Sequence, residues 1–243
     1  MFLPQTVKDT FPENWPDEVS ALSWPGAQIV LSPEDTQMLS SFNGFVSRNC
    51  APSQVTTFSD AFYADIETAV AKYPAGVMPR LGYCSWKGAT LVHRPARHLA
   101  DVMQIITQND DRIGHALACA VIAGEGVTLH LREWQNIAPD QEFRTFLRAG
   151  QIAGVSQYRY KSRYDAVVRH HAAINHAIAA FLPELMDVLH LDPVVADLWV
   201  NWTDSPTQPL VKLIELNPFD PATDPCLFSW QDGGDFDGTF RTA

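Results

Sequence analysis

The feature that most constrains the fold of this chain lies in its last third. Two apolar runs, Val194 to Trp202 and Leu210 to Leu216, flank the turn-forming cluster Asp204-Ser205-Pro206-Thr207-Gln208-Pro209, a pattern that predicts a β-hairpin. Strand side chains alternate between faces, so Glu215 and Asn217 emerge on the same side of the second run. A hairpin folded about Pro206 sets Asp197 opposite Glu215, because both residues are equidistant from that proline. Opposed residues share a face. Asp197, Glu215 and Asn217 then form one set of oxygen donors on an otherwise apolar hairpin. Magnesium is a hard cation that takes one or two carboxylates, amide oxygens, water and phosphate oxygens, and this set suits it. An ordinary solvated strand face is the competing reading of the same residues.

Elsewhere the chain carries both helix and strand signals. Ser32-Pro33-Glu34-Asp35 supplies an N-cap, a first-turn proline and early acids, so a helix runs to about Phe42. A second helix starts near Ser59 and stops at Pro74-Ala75-Gly76, and a third covers Arg97 to Gln108. Val77 to Leu81 and Thr128 to Trp134 read as strands. Gln141 to Leu147 and Gln151 to Tyr158 read as a hairpin about Ala149-Gly150. His115 to Ala123 is apolar without a decisive period. Ser162 to Leu182 is the longest helix, expected to end near Pro183. Phe11 to Ile29, rich in Pro and Trp, reads as an irregular arm. Gln231 to Ala243 is too poor in apolar residues for a further element. The length suits one domain or two closely packed lobes, and no linker separates independent domains.

The formal net charge of -11 excludes a nucleic-acid role, which demands a basic surface. No apolar run reaches the roughly 18 residues of a membrane span, and Met1-Phe2-Leu3-Pro4-Gln5 has no leader character, so a cytoplasmic protein is expected. Cys50, Cys84, Cys119 and Cys226 are scattered and read as reduced thiols. His170, His171 and His176 lack the i, i+4 spacing of a zinc helix.

Five ordered motifs carry a family resemblance. They are Leu129-His130-Leu131-Arg132-Glu133-Trp134, Glu142-Phe143-Arg144-Thr145-Phe146-Leu147, Gly154-Val155-Ser156-Gln157, Ile214-Glu215-Leu216-Asn217-Pro218-Phe219 and Thr223-Asp224-Pro225-Cys226-Leu227-Phe228-Ser229-Trp230. Together they resemble the cell division cycle protein 123 family, most clearly between Val77 and Trp230. The resemblance implies an ATP-grasp fold, two α+β lobes with ATP and magnesium between them, and a protein partner, a translation initiation factor subunit in eukaryotes. It assigns Asp197, Glu215 and Asn217 to the metal, and Arg80, Tyr83, Lys87 and Arg144, with Glu142 beside it, to the nucleotide phosphates. The strand end Arg132-Glu133-Trp134 becomes the adenine hinge, with Trp134 and Ile137 covering the base. Departures are visible. Arg80 stands where the family has Lys, Glu215 where Asp is more usual, and Gly82 and Gly88 where Asn and an acid are usual. A planar guanidinium at position 80 keeps the charge but changes phosphate geometry.

Three uses of the nucleotide fit these residues: gating of a protein partner by an assembly chaperone, ligation of a carboxylate through an acyl phosphate, and phosphoryl transfer to a side chain. No residues for a carboxylate and acceptor pocket are identifiable, and no hydrolase nucleophile motif is present.

Overall fold

The computed structural model describes residues 3–43, 57–82, 84–86, 93–202 and 209–243. The chain divides into two compact units, one formed by Met1–Lys8 and Pro25–Gln135, the other by Asp9–Trp24 and Asn136–Ala243.

The first unit is a four-stranded antiparallel sheet packed with helices. Its strands are β1 (Gly26–Leu31), β2 (Val77–Leu81), β3 (Cys84–Ser85) and β4 (Val127–Glu133), in the order β1-β4-β2-β3. The helices are α1 (Pro33–Ser41), α2 (Asp60–Lys72), α3 (Leu99–Ile106) and α4 (Asp111–Ala123). Ser32 and Ser59 cap α1 and α2 as the sequence predicts, accepting from the amides of Asp35 and Phe62 at 3.0 and 3.1 Å. The ambiguous run His115–Ala123 is the body of α4. Its start lies upstream, where Asp110 caps the amides of Arg112 and Ile113, and its apolar residues spread too far round the helix to reveal a period.

Gly26–Leu31 corrects the reading of Phe11–Ile29 as an irregular arm. Ile29 and Leu31 enter the core while Val30 is 75% exposed, the alternation of an edge strand with one buried face. Upstream, Trp15 and Val19 are buried in the second unit's core and Asp17–Ala21 is a short helix, so this stretch packs onto the body.

The second unit is a five-stranded sheet covered on one face by a single long helix. Its strands are β5 (Glu142–Arg148), β6 (Gln151–Gln157), β7 (Val194–Asn201), β8 (Leu210–Pro218) and β9 (Phe240–Arg241), ordered β8-β7-β5-β6-β9. The β5–β6 turn uses positive φ at Ala149 (53°) and Gly150 (67°), the requirement of a two-residue primed turn. The Asp192 carboxylate accepts from both turn amides. Helix α5 (Asp165–Val188) runs past Pro183 instead of ending there. Ile174, Ala177, Ile178, Leu182 and Leu185 are all buried, so the apolar stripe continues through the proline. Pro183 and Ala179, whose carbonyl loses its intrahelical donor to the proline, are both exposed, so the carbonyl is open to solvent.

The tail is the second correction. Phe240–Arg241 pairs in parallel with Val155–Ser156, and Phe236 joins an aromatic cluster of Phe146, Phe219, Phe228 and Trp230. Few apolar residues suffice because two of them are phenylalanines that find preformed partners, and Arg241 replaces the remaining burial with ion pairs to Asp235 and Asp237.

Candidate cation and phosphate face

The helix-free face of the second sheet carries one polar row. Register places Glu215 opposite Asp197, Asp197 opposite Arg144, Arg144 opposite Ser156, and Ser156 opposite Arg241. The Asp197–Glu215 opposition is the one expected from the hairpin, although the route differs. Pairs nearer the turn, such as Leu198 with Leu213, are offset by one residue, and Ile214 is a bulge that restores the register at Glu215. The turn about Pro206 itself lies outside the described residues.

Arg144 and Asp197 form a buried bidentate pair. Nε and Nη2 donate to the two carboxylate oxygens at 2.8 and 2.7 Å, with the residues 4% and 0% exposed. Nη1 donates to the carbonyl of Asp224 at 2.8 Å, and the guanidinium lies 4.9 Å over the ring of Tyr158. Asn217 Nδ2 donates to Asp197 Oδ2 at 3.2 Å. The pairing of Arg144 with Glu142 considered from sequence is thus replaced by Asp197, and Glu142 has Arg159 at 4.0 Å. Burial pushes the Asp197 carboxyl up; Arg144 pulls it down, and the facing Glu215 pushes it up again, so the net direction is upward. For Arg144, burial acts downward but Asp197 outweighs it and holds the guanidinium above its ordinary value. Burial also pushes the nearby Cys226 thiol up to about 12.

A buried ion pair is weak as a stabilising device, since well-packed apolar residues serve as well or better. Retaining one beside a second carboxylate marks a place where charge is used. Among the described residues no group of three or more His, Cys, Asp or Glu could hold a metal, so a cation here depends on two carboxylates and an amide.

The first unit carries its own polar row on the face opposite its helical core. Gln28, His130, Arg80 and Ser85 lie in register, and Arg132 pairs with Met78 and Gly26 one step along. Arg80 is 6% exposed and donates from Nη2 to the Gly82 carbonyl at 3.2 Å. At the expected hinge, the amides of Glu133 and Trp134 already donate to the carbonyls of Pro25 and Gly76, both at 2.9 Å. Trp134 and, in the second unit, Ile137 are half-buried. Tyr83 and Lys87 lie outside the described residues.

Asp224, Tyr158, Ser156 and Arg241 adjoin or extend this row without having been read as site residues, although Ser156 and Asp224 stand in the quoted motifs. Asp224 contributes a backbone carbonyl, which no side-chain pattern reveals, and Arg241 lies in the tail read as too poor in apolar residues for an element.

The chain is similar to an assembly protein of translation initiation factor eIF2 from Candida albicans, 32% identical over 107 residues, 42% of this chain and 29% of that protein. It is also similar to cell division cycle protein 123 from Aspergillus terreus, 28% identical over 229 residues, 83% of this chain and 53% of that one. The match thus spans about half, or less, of these curated relatives' length. Among solved structures, Cdc123 from Schizosaccharomyces pombe aligns with a TM-score of 0.76 at 20% identity, covering 100% of this chain and 98% of the other, and so shares its α+β fold. Residues 34–234 match the D123 family, and on that match this chain is a member of the D123 family.

Proposed function

We propose that the chain binds ATP with magnesium and that the nucleotide controls its association with a protein partner, a translation initiation factor subunit as the relatives' names indicate. The observation that carries this reading is the Glu215–Asp197–Arg144 row, where two carboxylates share a largely buried sheet face with one guanidinium. Negative charge in excess, offered through hard oxygen donors with an amide alongside, fits magnesium. Asp197, Glu215 and Asn217 are its ligands in this reading, and the bound ion would neutralise and orient phosphate oxygens. Arg144 supplies the neighbouring positive charge for a phosphate, while Asp197 and the Asp224 carbonyl hold its plane fixed.

The test avoids Asp197, because removing one partner of a buried pair costs about 3–5 kcal/mol of stability and would confuse folding with binding. Glu215→Gln and Asn217→Ala are half-exposed and milder. Calorimetric titration with ATP plus magnesium, and with ATP plus chelator, is expected to show a magnesium-dependent gain in the unmutated chain. Glu215→Gln should shrink that gain by about tenfold in affinity, on the order of 1.4 kcal/mol. An unchanged gain in both variants overturns the reading.

A further inference from the structure

We infer that Arg241 is a positioning residue for this magnesium-nucleotide face, acting on Arg144 through the turn Asp224–Phe228; the inference deepens the proposed function and rests on it. The turn is a bracket with one arginine at each end. At the near end Arg144 Nη1 donates to the Asp224 carbonyl at 2.8 Å. At the far end Arg241 Nη1 donates to the Leu227 carbonyl at 3.1 Å, and its guanidinium stacks 3.9 Å over the Phe228 ring. Between them the chain is fixed internally. The Cys226 amide donates to Asp224 Oδ1 at 2.8 Å, the Phe228 amide to the Pro225 carbonyl at 3.0 Å, and the Leu227 amide to Ser156 Oγ at 3.2 Å. Cys226 takes a φ of 55°, a left-handed conformation that a non-glycine residue keeps only when its surroundings hold it there.

Arg241 is itself held from several sides. Nη1 donates to Asp235 Oδ2 at 2.8 Å, and Nη2 donates to the Asp235 carbonyl at 2.9 Å and Asp237 Oδ2 at 3.1 Å. A lone surface ion pair contributes little, but a fork engaging two carbonyls, two carboxylates and a ring orders everything it touches. Phe228 transmits that order to the sheet, because it lies directly on Gly154, where an added Cβ would meet its ring at 2.4 Å. Loosening Arg241 frees Leu227 and Phe228, then the Asp224 carbonyl, and Arg144 loses the acceptor that fixes its third nitrogen.

The experiment uses the full chain as wild type, Arg241→Ala, Arg241→Lys and Glu215→Gln. Two quantities are measured: the magnesium-dependent gain in ATP affinity by calorimetry, and hydrogen exchange of the Arg144 Nε–H by NMR. Arg241→Ala is expected to reduce the gain by about threefold to tenfold and to accelerate Arg144 exchange, with Arg241→Lys intermediate because a compact ammonium cannot span the fork. Wild-type gain and wild-type exchange in Arg241→Ala overturn the inference and leave the proposed function standing. If the wild type shows no magnesium-dependent gain and Glu215→Gln matches it, the proposed function falls, and this inference with it. Should Arg241→Ala fail to fold, Arg241→Lys carries the test, and wild-type values of both quantities in it are the overturning result.

Discussion

Thr145 shows how closely function and packing compete at single residues. It follows Arg144 on β5 and therefore faces the opposite way, into the core beneath α5, where Ala196 and Val155 are its cross-strand neighbours. It is 0% exposed, and its hydroxyl finds no hydrogen-bond partner in the structure. Burying a hydroxyl without a partner costs about 1–3 kcal/mol. Thr145→Val keeps the β-branched shape and removes the stranded oxygen, so it is expected to stabilise the protein by about 1 kcal/mol. Denaturant unfolding checks this: the midpoint should rise with an unchanged slope, and a lower midpoint would show that the hydroxyl is satisfied in solution.

Elements were legible in the sequence where their signals are local. Ser32 and Ser59 announced their helices because a cap is read within one turn, and β7 and β8 announced their face because Asp197, Glu215 and Asn217 stand out of otherwise apolar runs. The Ile214 bulge was not legible, since an extra residue leaves no trace in the apolar pattern. Nor was α5's passage through Pro183, which depends on that residue facing water. Strand β9 was hidden for a different reason: it is held by Phe143 and His171, which pack on Phe240 and are remote in sequence, and by Phe228 beneath Arg241. Hydrogen bonds from Thr239, ahead of those from Arg241, hold the Asp237 carboxyl down at about 2. A depressed carboxyl contributes stability above its ordinary pKa and loses it as pH falls through the depressed one. The Thr239 amide, which donates to Asp237 Oδ1, should therefore follow a titration centred near pH 2 in NMR. A midpoint near pH 4, the ordinary aspartate range, would mean the clip does not hold in solution.

Across the whole molecule, both sheets repeat one arrangement. Each buries an apolar face under helices and keeps arginine and hydrogen-bonding groups on the other, basic in the first unit and mixed in the second. Among the described residues no helix is long and apolar enough to cross a membrane. The order of the chain sets a further condition. Residues 9–24 belong to the second unit, yet Pro25–Gln135 of the first unit separates them from the rest of it. Ser23 Oγ donates to the Leu213 carbonyl at 2.6 Å, the Leu213 amide donates to the Leu22 carbonyl at 2.9 Å, and the Trp24 and Trp199 rings meet at a tilt with centroids 5.4 Å apart. During synthesis this strap emerges early and waits for almost all the remaining chain before its partners exist. A fragment spanning 136–243 should accordingly bind a hydrophobic dye and aggregate alone, and gain a cooperative melt when a peptide of residues 9–24 is added. An equally sharp melt without the peptide would show the strap to be dispensable. By this arrangement the second unit's completeness becomes a report that translation has passed Leu213, because a product truncated before that residue keeps the strap and lacks the strand that receives it.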